Sequence, residues 1–197
     1  MPEDLFQQAI QAFDHLNRQD PSILRIKGQE YPRELWYAGE LTRWVLQLQP
    51  DASEALRLAA RSQHLERWKI PRSDFPPGRI GYLNWRKKLS QYHASRAEET
   101  LRALHYSEEI IQRVRELNLK QDIRHDPETQ VLEDALCLVF LESQFAEFSE
   151  KTEKIKLVEI IQKTWKKMSS KAHTMALQLD LDEGTRRLIE QAISKPG

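Results

Sequence analysis

Asp134 lies inside the most hydrophobic stretch of this chain, which runs from Val131 to Leu141. If the stretch is helical, Asp134 shares a face with Leu138, Leu141 and Phe145, because helical residues at these spacings pack on one side. Burial of an unpaired carboxylate is strongly unfavourable, so we expect Asp134 to have a cation, a metal ion or a cluster of donors as its partner. A structural ion pair or a hydrogen bond between helices would meet this expectation, and so would a functional site.

Bulk composition excludes several classes of protein. The 197 residues include 30 basic and 30 acidic side chains, so no overall charge marks a binder of nucleic acid or membrane. The single cysteine, Cys137, excludes an internal disulfide framework and suggests a reducing compartment. The N-terminus lacks a signal-peptide pattern, and no apolar run is long enough to span a membrane. We expect a cytoplasmic protein that forms a single domain over residues 1–197.

Helical periodicity dominates the chain. The predicted helices share an apolar stripe at helical spacing, and they cover about 3–18, 32–50, 51–63, 82–104, 107–117, 126–141, 155–165 and 182–196. The segment 23–29 is β-branched around a glycine and is either a hairpin or an extended loop. Proline and glycine residues between 69 and 81 predict an ordered, irregular loop. We therefore predict an all-α protein, an orthogonal helical bundle.

Two histidines lie where they could form a site with Asp134. His93 is on an apolar face of the predicted helix 82–104, and His64 ends the helix that precedes it. Neutral imidazoles and a carboxylate are suitable ligands for manganese, iron, zinc or nickel. A lone histidine on a helix is more often structural than a ligand, so the metal hypothesis depends on the three side chains together.

The order of these residues resembles the HD-domain phosphohydrolase superfamily, whose metal ligands are a histidine, a His-Asp doublet and a later aspartate on a helical bundle. Residues 59–65, Ala-Ala-Arg-Ser-Gln-His-Leu, are similar to that family's Ala-Ala-x-x-His-Asp-Ile segment. Residues 126–135 resemble the stretch that holds its last aspartate. The resemblance implies an HD-like core over about 32–142, with the N-terminal helix 3–18 and C-terminal helices over 150–195 packed on it.

The HD-domain resemblance also implies roles for particular side chains. The implied metal ligands are His64, His93 and Asp134, and the implied catalytic residues are Glu34 and Lys120. The chain departs from the family pattern where Gln63 and His64 replace the His-Asp doublet, and Glu34 stands in the place of the first histidine. These departures favour a site for one divalent transition metal over a dinuclear site.

Further segments resemble other families. The whole chain is similar to a bacterial and fungal family of unknown function, through the segments that begin at His64, Gly81, Leu132 and Thr164. That resemblance implies no activity. Residues 167–171, Lys-Met-Ser-Ser-Lys, resemble the Lys-Met-Ser-Lys-Ser loop of class I aminoacyl-tRNA synthetases. The chain lacks the parallel-sheet nucleotide domain of such an enzyme, so we do not expect that activity.

Positive charge is concentrated between Arg61 and Arg96, where nine cations are accompanied by only two acids, although the whole chain is neutral. Guanidinium groups match phosphate oxygens, and the interleaved aromatic rings could stack on bases. The segment therefore predicts a phosphate or nucleotide site, formed by Arg61, Arg67, Arg72, Arg86 and Trp68. The alternative is a solvated charged loop that pairs with the acidic stretch 142–153.

Two functions remain open from the sequence. The first is a metal-dependent phosphohydrolase that acts on a nucleotide or another small phosphorylated substrate, with the ion activating water. The second is a catalytically inactive HD-like module that binds a nucleotide or RNA through the basic and aromatic loop. Both predict a small phosphorylated ligand, with RNA as an alternative and no membrane partner. The oligomeric state is not determined by the sequence.

Overall fold

Helices make up nearly all of the regular secondary structure in the computed structural model, which describes residues 4–123, 125–150 and 152–194. The all-α class predicted from the sequence is confirmed. The chain divides into two compact units, Met1–Thr129 and Gln130–Gly197. The boundary falls within the range 32–142 predicted for an HD-like core, and the orthogonal HD-like arrangement remains a prediction.

The first unit begins with helix α1, Leu5–Asn17, followed by an antiparallel hairpin of strands β1, Ile23–Ile26, and β2, Gln29–Pro32. Lys27 and Gly28 form the turn with φ values of 50° and 82°. Two consecutive positive φ values are what a tight two-residue hairpin turn requires, and glycine adopts them readily. Of the two alternatives left open by the sequence, the structure shows the hairpin.

Helix α2, Arg33–Leu48, starts directly after the hairpin and buries one face. Asp20 satisfies part of its N-terminus, since the Asp20 carboxylate accepts a hydrogen bond from the backbone N–H of Glu34 over 3.0 Å. The side chain of Glu34 lies on the buried face with Ala38 and Leu41. The first turn of α2 therefore carries a carboxylate into the interior of the unit.

Helix α3, Glu54–Ser62, lies at the centre of the unit. It contacts α1, α2 and two later helices, α4 (Gly78–Ala103) and α5 (Glu108–Leu119). Its buried side chains are small or aliphatic, which allows four helices to approach it closely. The side chains of Leu56, Leu58, Ala59 and Ala60 have no exposed surface. The position of α3 fixes where the segment that follows it can run.

Helix starts differ from the predictions in two places. Helix α3 begins later than the predicted residue 51, and its N-cap is Ser53, whose hydroxyl accepts a hydrogen bond from the N–H of Leu56 over 3.1 Å. Helix α4 begins at Gly78, earlier than the predicted residue 82, and directly follows Pro76 and Pro77. The predicted start of α5 is confirmed, since Ser107 accepts from the N–H of Ile110.

Glu66 holds the turn that follows α3. It has a left-handed backbone, with φ 51°, and its N–H donates to Oδ1 of Asn17 over 3.2 Å. Its carboxylate is 1% exposed and accepts hydrogen bonds from Arg96 over 2.7 Å and from the Tyr92 hydroxyl over 3.0 Å, and it also pairs with Lys69. These contacts tie the turn to α1 and to α4.

The irregular loop predicted before α4 is present, and it contains two 3₁₀ turns, Arg67–Lys69 and Arg72–Asp74. Arg72 holds the loop by donating to the carbonyl oxygens of Phe75 and Pro76 over 2.8 and 2.9 Å. Gly81 packs against the same loop, since a Cβ at this residue would lie 1.9 Å from the carbonyl oxygen of Pro76. Only glycine permits this approach of loop and helix.

Asp126 confirms the predicted start of the hydrophobic helix α6, Pro127–Val139. Its carboxylate accepts hydrogen bonds from the backbone N–H of Glu128 over 3.0 Å and from the Arg113 guanidinium over 2.6 and 2.8 Å. The carboxylate thus caps one helix while pairing with a cation on α5.

The second unit contains the remainder of α6 and four further helices among its described residues. They are α7 (Phe145–Glu150), α8 (Lys154–Trp165), α9 (Ser170–Leu177) and α10 (Glu183–Ser194). A π-helical turn, Phe140–Gln144, joins α6 to α7, and α8 packs against α10. Helix α9 was missed by sequence reasoning because it is short. No helix of the described chain is long and apolar enough to cross a membrane.

The Glu66→Gln variant tests the contacts that hold the turn after α3. Burial opposes ionisation of Glu66, but the hydrogen bonds from Lys69, Arg96 and Tyr92 outweigh it and lower the pKa below 4.5. We expect the variant to lose about 2–3 kcal/mol of unfolding free energy at pH 7, because it breaks a buried charge network. This deficit should shrink as the pH falls below 4.5, because the unfolded carboxyl group takes up its proton there and the folded one takes it up at lower pH.

Glu99→Gln is the matched control, measured in the same urea unfolding series. Glu99 pairs with Arg96 as Glu66 does, but its side chain is 62% exposed, so we expect a change within about 0.5 kcal/mol. Equal effects of the two substitutions would show that the burial of Glu66 contributes nothing.

Candidate functional site

A pocket of about 240 Å³ opens in the first unit where the end of α3, one face of α4 and the end of α5 meet. Four cations line it: Arg67, Arg86, Lys87 and Lys120. Its other polar lining residues are Gln63, His64, Ser90 and His93. Among the described residues that line the pocket there is no aspartate or glutamate. The residues that line the pocket therefore carry a strong positive charge, whereas the surface of the first unit as a whole carries charges of both signs.

His93 is held in one orientation and in one tautomer. Its Nδ1 lies 2.7 Å from the carbonyl oxygen of Leu65. Because a carbonyl oxygen can only accept, Nδ1 must carry the proton, which leaves Nε2 as an acceptor in the neutral ring. The side chain is buried, and within the described structure Nε2 has no hydrogen-bond partner. Burial, together with the charges of His64, Arg67 and Arg86, holds the pKa of His93 well below 6.5.

His64 lies beside His93, with ring centroids 5.9 Å apart. Its Nδ1 is 3.5 Å from Oε2 of Glu34, at the start of α2. Burial and the charges of Arg67, Arg86 and Lys120 hold the pKa of His64 well below 6.5. Both imidazoles are therefore neutral at pH 7, chiefly because burial disfavours the charged ring and also because the neighbouring cations repel a further positive charge.

Glu34 is the nearest carboxylate to His64, and it is only partly ionised. Burial raises its pKa to about 7, although the charges of Arg67 and Arg33 oppose the rise. Its Oε1 is 3.9 Å from Nε of Arg67. At neutral pH this carboxyl group compensates only a fraction of the positive charge at the pocket.

The four cations reach the pocket from different elements. The Arg67 guanidinium lies over the ring of Trp85, 4.9 Å from its centroid, and this contact orients it. Arg86 and Lys87 are exposed on α4, and within the part of the chain that the structure describes neither has a carboxylate partner. Lys120 follows α5 with a left-handed backbone, φ 54°, which turns the chain at the rim of the pocket.

The side chain of Gln63 makes one structural hydrogen bond and has one acceptor atom without a donor. Its Nε2 donates to the carbonyl oxygen of Asn118 over 3.4 Å, and Ser90 donates to the same oxygen over 3.2 Å. These bonds join the end of α3 and the face of α4 to the end of α5. Gln63 is 5% exposed, and its Oε1 has no hydrogen-bond partner among the described residues.

The structure brings together some of the predicted phosphate-binding residues and not others. Arg67 and Arg86 line the pocket, as does Lys120. Arg61 instead donates to both carboxylate oxygens of Asp14 on α1, and Arg72 is bound to loop carbonyl oxygens. Trp68 is half-buried and is not among the residues that line the pocket. The basic segment thus separates into pocket cations and structural cations.

Asp134 has the donor cluster that its burial requires. One carboxylate oxygen accepts from the backbone N–H of Ser169 over 2.8 Å and from Nε2 of Gln130 over 2.9 Å, and the other accepts from the Ser169 hydroxyl. Ser169 is also the N-cap of α9. Within the second unit Asp134 therefore holds the start of a helix, through the segment that resembles the synthetase loop.

The predicted metal ligands, His64, His93 and Asp134, remain a prediction. No group of three or more His, Cys, Asp or Glu side chains in the described ranges is placed to hold a metal ion. The two neighbouring imidazoles have the chemistry of metal ligands, but they are fewer than the three protein ligands of a catalytic zinc site. They do not by themselves form a complete metal site.

Sequence reasoning missed three polar residues of the pocket: Gln63 as a lining group, Lys87 and Ser90. For Lys87 and Ser90 the sequence did contain a signal. Residues 86, 90 and 93 recur at helical spacing on α4, so their side chains lie on one face of the helix. Lys87 extends that face by one residue. Gln63 was noted only as a departure from a family pattern, so its own chemistry was not considered.

The family assignment follows from comparison with known proteins. The chain matches the model of a domain of unknown function, DUF4202, over residues 7–189. It belongs to this family. The DUF4202 match confirms the resemblance to a family of unknown function and names no activity, while the HD-domain resemblance stays a prediction. No curated protein and no solved structure matches the chain.

The raised pKa of Glu34 predicts an unusual dependence of stability on pH. Between pH 4.5 and 7 the unfolded carboxyl group loses its proton while the folded one keeps it, so stability should fall as the pH rises through this window. Glu34→Gln cannot ionise, and we expect it to gain up to about 3 kcal/mol over wild type at pH 8 and little at pH 4.

Urea unfolding at pH 4, 6 and 8 measures this difference. The control is Glu40→Gln, also on α2, where the carboxylate is partly exposed and pairs with Arg43, so the same substitution is made away from the buried face. A Glu34→Gln protein with the wild-type slope would contradict the assignment.

Proposed function

We propose that this DUF4202 protein binds a small phosphorylated molecule in the pocket between α3, α4 and α5. The observation that carries the proposal is the set of four cations that line a concave site without a carboxylate among them. Guanidinium groups such as those of Arg67 and Arg86 match the oxygens of a phosphate group in charge and in geometry. The phosphate would supply the negative charge that the described residues of the pocket lack.

The state of the neighbouring titratable groups supports an anion as the ligand. His64 and His93 have lowered pKa values, in part because Arg67 and Arg86 repel a further positive charge. Glu34 gives only partial compensation at neutral pH, because its pKa is raised to about 7. An anion that enters the pocket removes this imbalance, and it is bound in surroundings where solvent screens charges less than at the surface.

The size of the pocket favours a small ligand over a nucleotide. Its volume of about 240 Å³ is below the roughly 300–1,000 Å³ that is usual for sites of drug-sized ligands. A phosphate group with a few carbon atoms fits this space. A nucleotide would place its base outside it.

Binding of RNA is less well supported, because aromatic side chains near the pocket are used in the structure. Trp85 donates its indole N–H to the carbonyl oxygen of Ile70 over 2.9 Å and carries Arg67 on its face. Tyr92 donates its hydroxyl to Glu66. Binding of single-stranded RNA depends on aromatic faces that are open to bases.

Titration calorimetry with inorganic phosphate and propyl phosphate, in buffer that contains EDTA, tests the proposal. We expect saturable binding without metal, and Arg86→Gln should weaken it at least about tenfold, since a charge-assisted hydrogen bond is lost. Arg79→Gln is the matched control: Arg79 is exposed on the same helix and does not line the pocket, so affinity should be unchanged.

Absence of binding, or equal weakening by the two substitutions, would contradict a phosphate site at this pocket. Tight binding of oligoribonucleotides with a steep salt dependence would instead support RNA as the ligand.

The metal-dependent phosphohydrolase implied by the HD-domain resemblance is the second candidate. The observation in its favour is the neutral state of His64 and His93 and their 5.9 Å separation in the same pocket. A metal ion held there would polarise a phosphoryl group and activate water. Further ligands from the protein or the substrate would be needed to complete its coordination.

Elemental analysis of protein purified without a chelating tag separates the two candidates. The second predicts a bound transition metal near one per chain, held at the pocket by His64 and His93. Protein that contains and takes up no transition metal, yet binds propyl phosphate, supports the first candidate and contradicts the second.

A further inference from the structure

Two buried acceptors in the pocket lack donors. Nε2 of His93 and Oε1 of Gln63 belong to side chains that are 2% and 5% exposed, and neither atom has a hydrogen-bond partner in the described structure. Both assignments are fixed by the opposite ends of the side chains, because Nδ1 of His93 and Nε2 of Gln63 each face a carbonyl oxygen. Both residues line the pocket.

Buried polar atoms in native proteins are almost always hydrogen-bonded, so two unpaired acceptors in one pocket indicate groups of a ligand. A phosphate dianion satisfies the cations but has no hydrogen to donate to an imidazole or an amide oxygen. The donors must therefore come from another part of the same ligand. Two acceptors in one small pocket call for more than one donor.

The charge of the pocket selects the kind of donor. An ammonium group would enter a site that already has Arg67, Arg86, Lys87 and Lys120 on its walls, and like charges repel strongly where solvent is limited. Hydroxyl groups donate without adding charge. A pocket of about 240 Å³ also limits the ligand to a few carbon atoms beyond the phosphate.

We propose that the ligand is a small phosphorylated polyol or sugar, with its phosphate on the cations and its hydroxyl groups donating to His93 Nε2 and Gln63 Oε1. This inference rests on the proposed phosphate site and adds the chemical class of the ligand. His93 and Gln63 are then the residues that distinguish a hydroxylated phosphate from a plain alkyl phosphate.

A pair of probes of matched size tests the inference. Propyl phosphate and glycerol 3-phosphate have the same number of carbon atoms and differ in two hydroxyl groups, and ribose 5-phosphate serves as a second hydroxylated probe. Titrations at pH 8 keep each phosphate a dianion, since its second pKa is about 6. We expect at least one hydroxylated probe to bind wild-type protein about tenfold more tightly than propyl phosphate.

The His93→Asn variant tests whether His93 is a residue that distinguishes the hydroxylated probes from propyl phosphate. An asparagine amide can still donate to the Leu65 carbonyl oxygen, as Nδ1 does, but it lacks the Nε2 acceptor. We expect the preference for the hydroxylated probe to fall several-fold in the variant, while its affinity for propyl phosphate stays near that of wild type. The comparison of probes on wild-type protein stands even if the variant does not fold.

The outcomes separate this inference from the proposed function. Equal affinity of wild-type protein for all three probes would overturn the polyol inference and leave the phosphate site standing. Tighter binding of 2-aminoethyl phosphate than of either hydroxylated probe would also overturn it. Failure of every phosphate probe to bind would overturn the phosphate site, and the inference with it.

Discussion

Glu66 places a buried carboxylate among Arg96, Tyr92 and Lys69, and this network determines where the segment after α3 can lie. Helix α3 is surrounded by four other helices, so its end is fixed in the interior of the unit. The chain must then leave the core through a turn with a left-handed residue, which costs backbone free energy. The buried ion pairs and the bond to Asn17 compensate that cost. His64 and Arg67 lie on either side of Glu66 in the chain, so the geometry of the pocket depends on this network.

The charge state of each residue at the pocket depends on whether that residue is buried or exposed. Arg67 is held at the pocket by Trp85 and Glu34, while Arg86 and Lys87 lie on the exposed face of α4. Burial, together with the charges of Arg67 and Arg86, keeps the two imidazoles neutral, and burial also keeps Glu34 partly protonated. A neutral imidazole with one nitrogen bound to a carbonyl oxygen is an acceptor at its other nitrogen. The site therefore combines strong cationic attraction with fixed acceptors.

Local sequence signals predicted much of the fold and part of the site. Apolar periodicity and capping residues located most helices, since these patterns depend on neighbours within one or two turns. His64, His93, Arg67 and Arg86 were selected from charge and position and Lys120 from a family resemblance, and all of them line one pocket. Arg61 could not be separated from them, because its partner Asp14 is distant in sequence. Asp134 was expected to need a partner, but Ser169 at the start of a short helix gave no signal that would identify it.

The contact of Gly81 with Pro76 has a mechanical consequence. Any larger residue at position 81 would have to displace the backbone of Pro76, so the loop and the first turns of α4 are in direct backbone contact. The loop cannot separate from α4 by a change of side-chain rotamer, because no side chain lies between the two backbones. Arg86 and Lys87 are about two turns further along α4, so one wall of the pocket belongs to the same helix whose first turns pack against this loop.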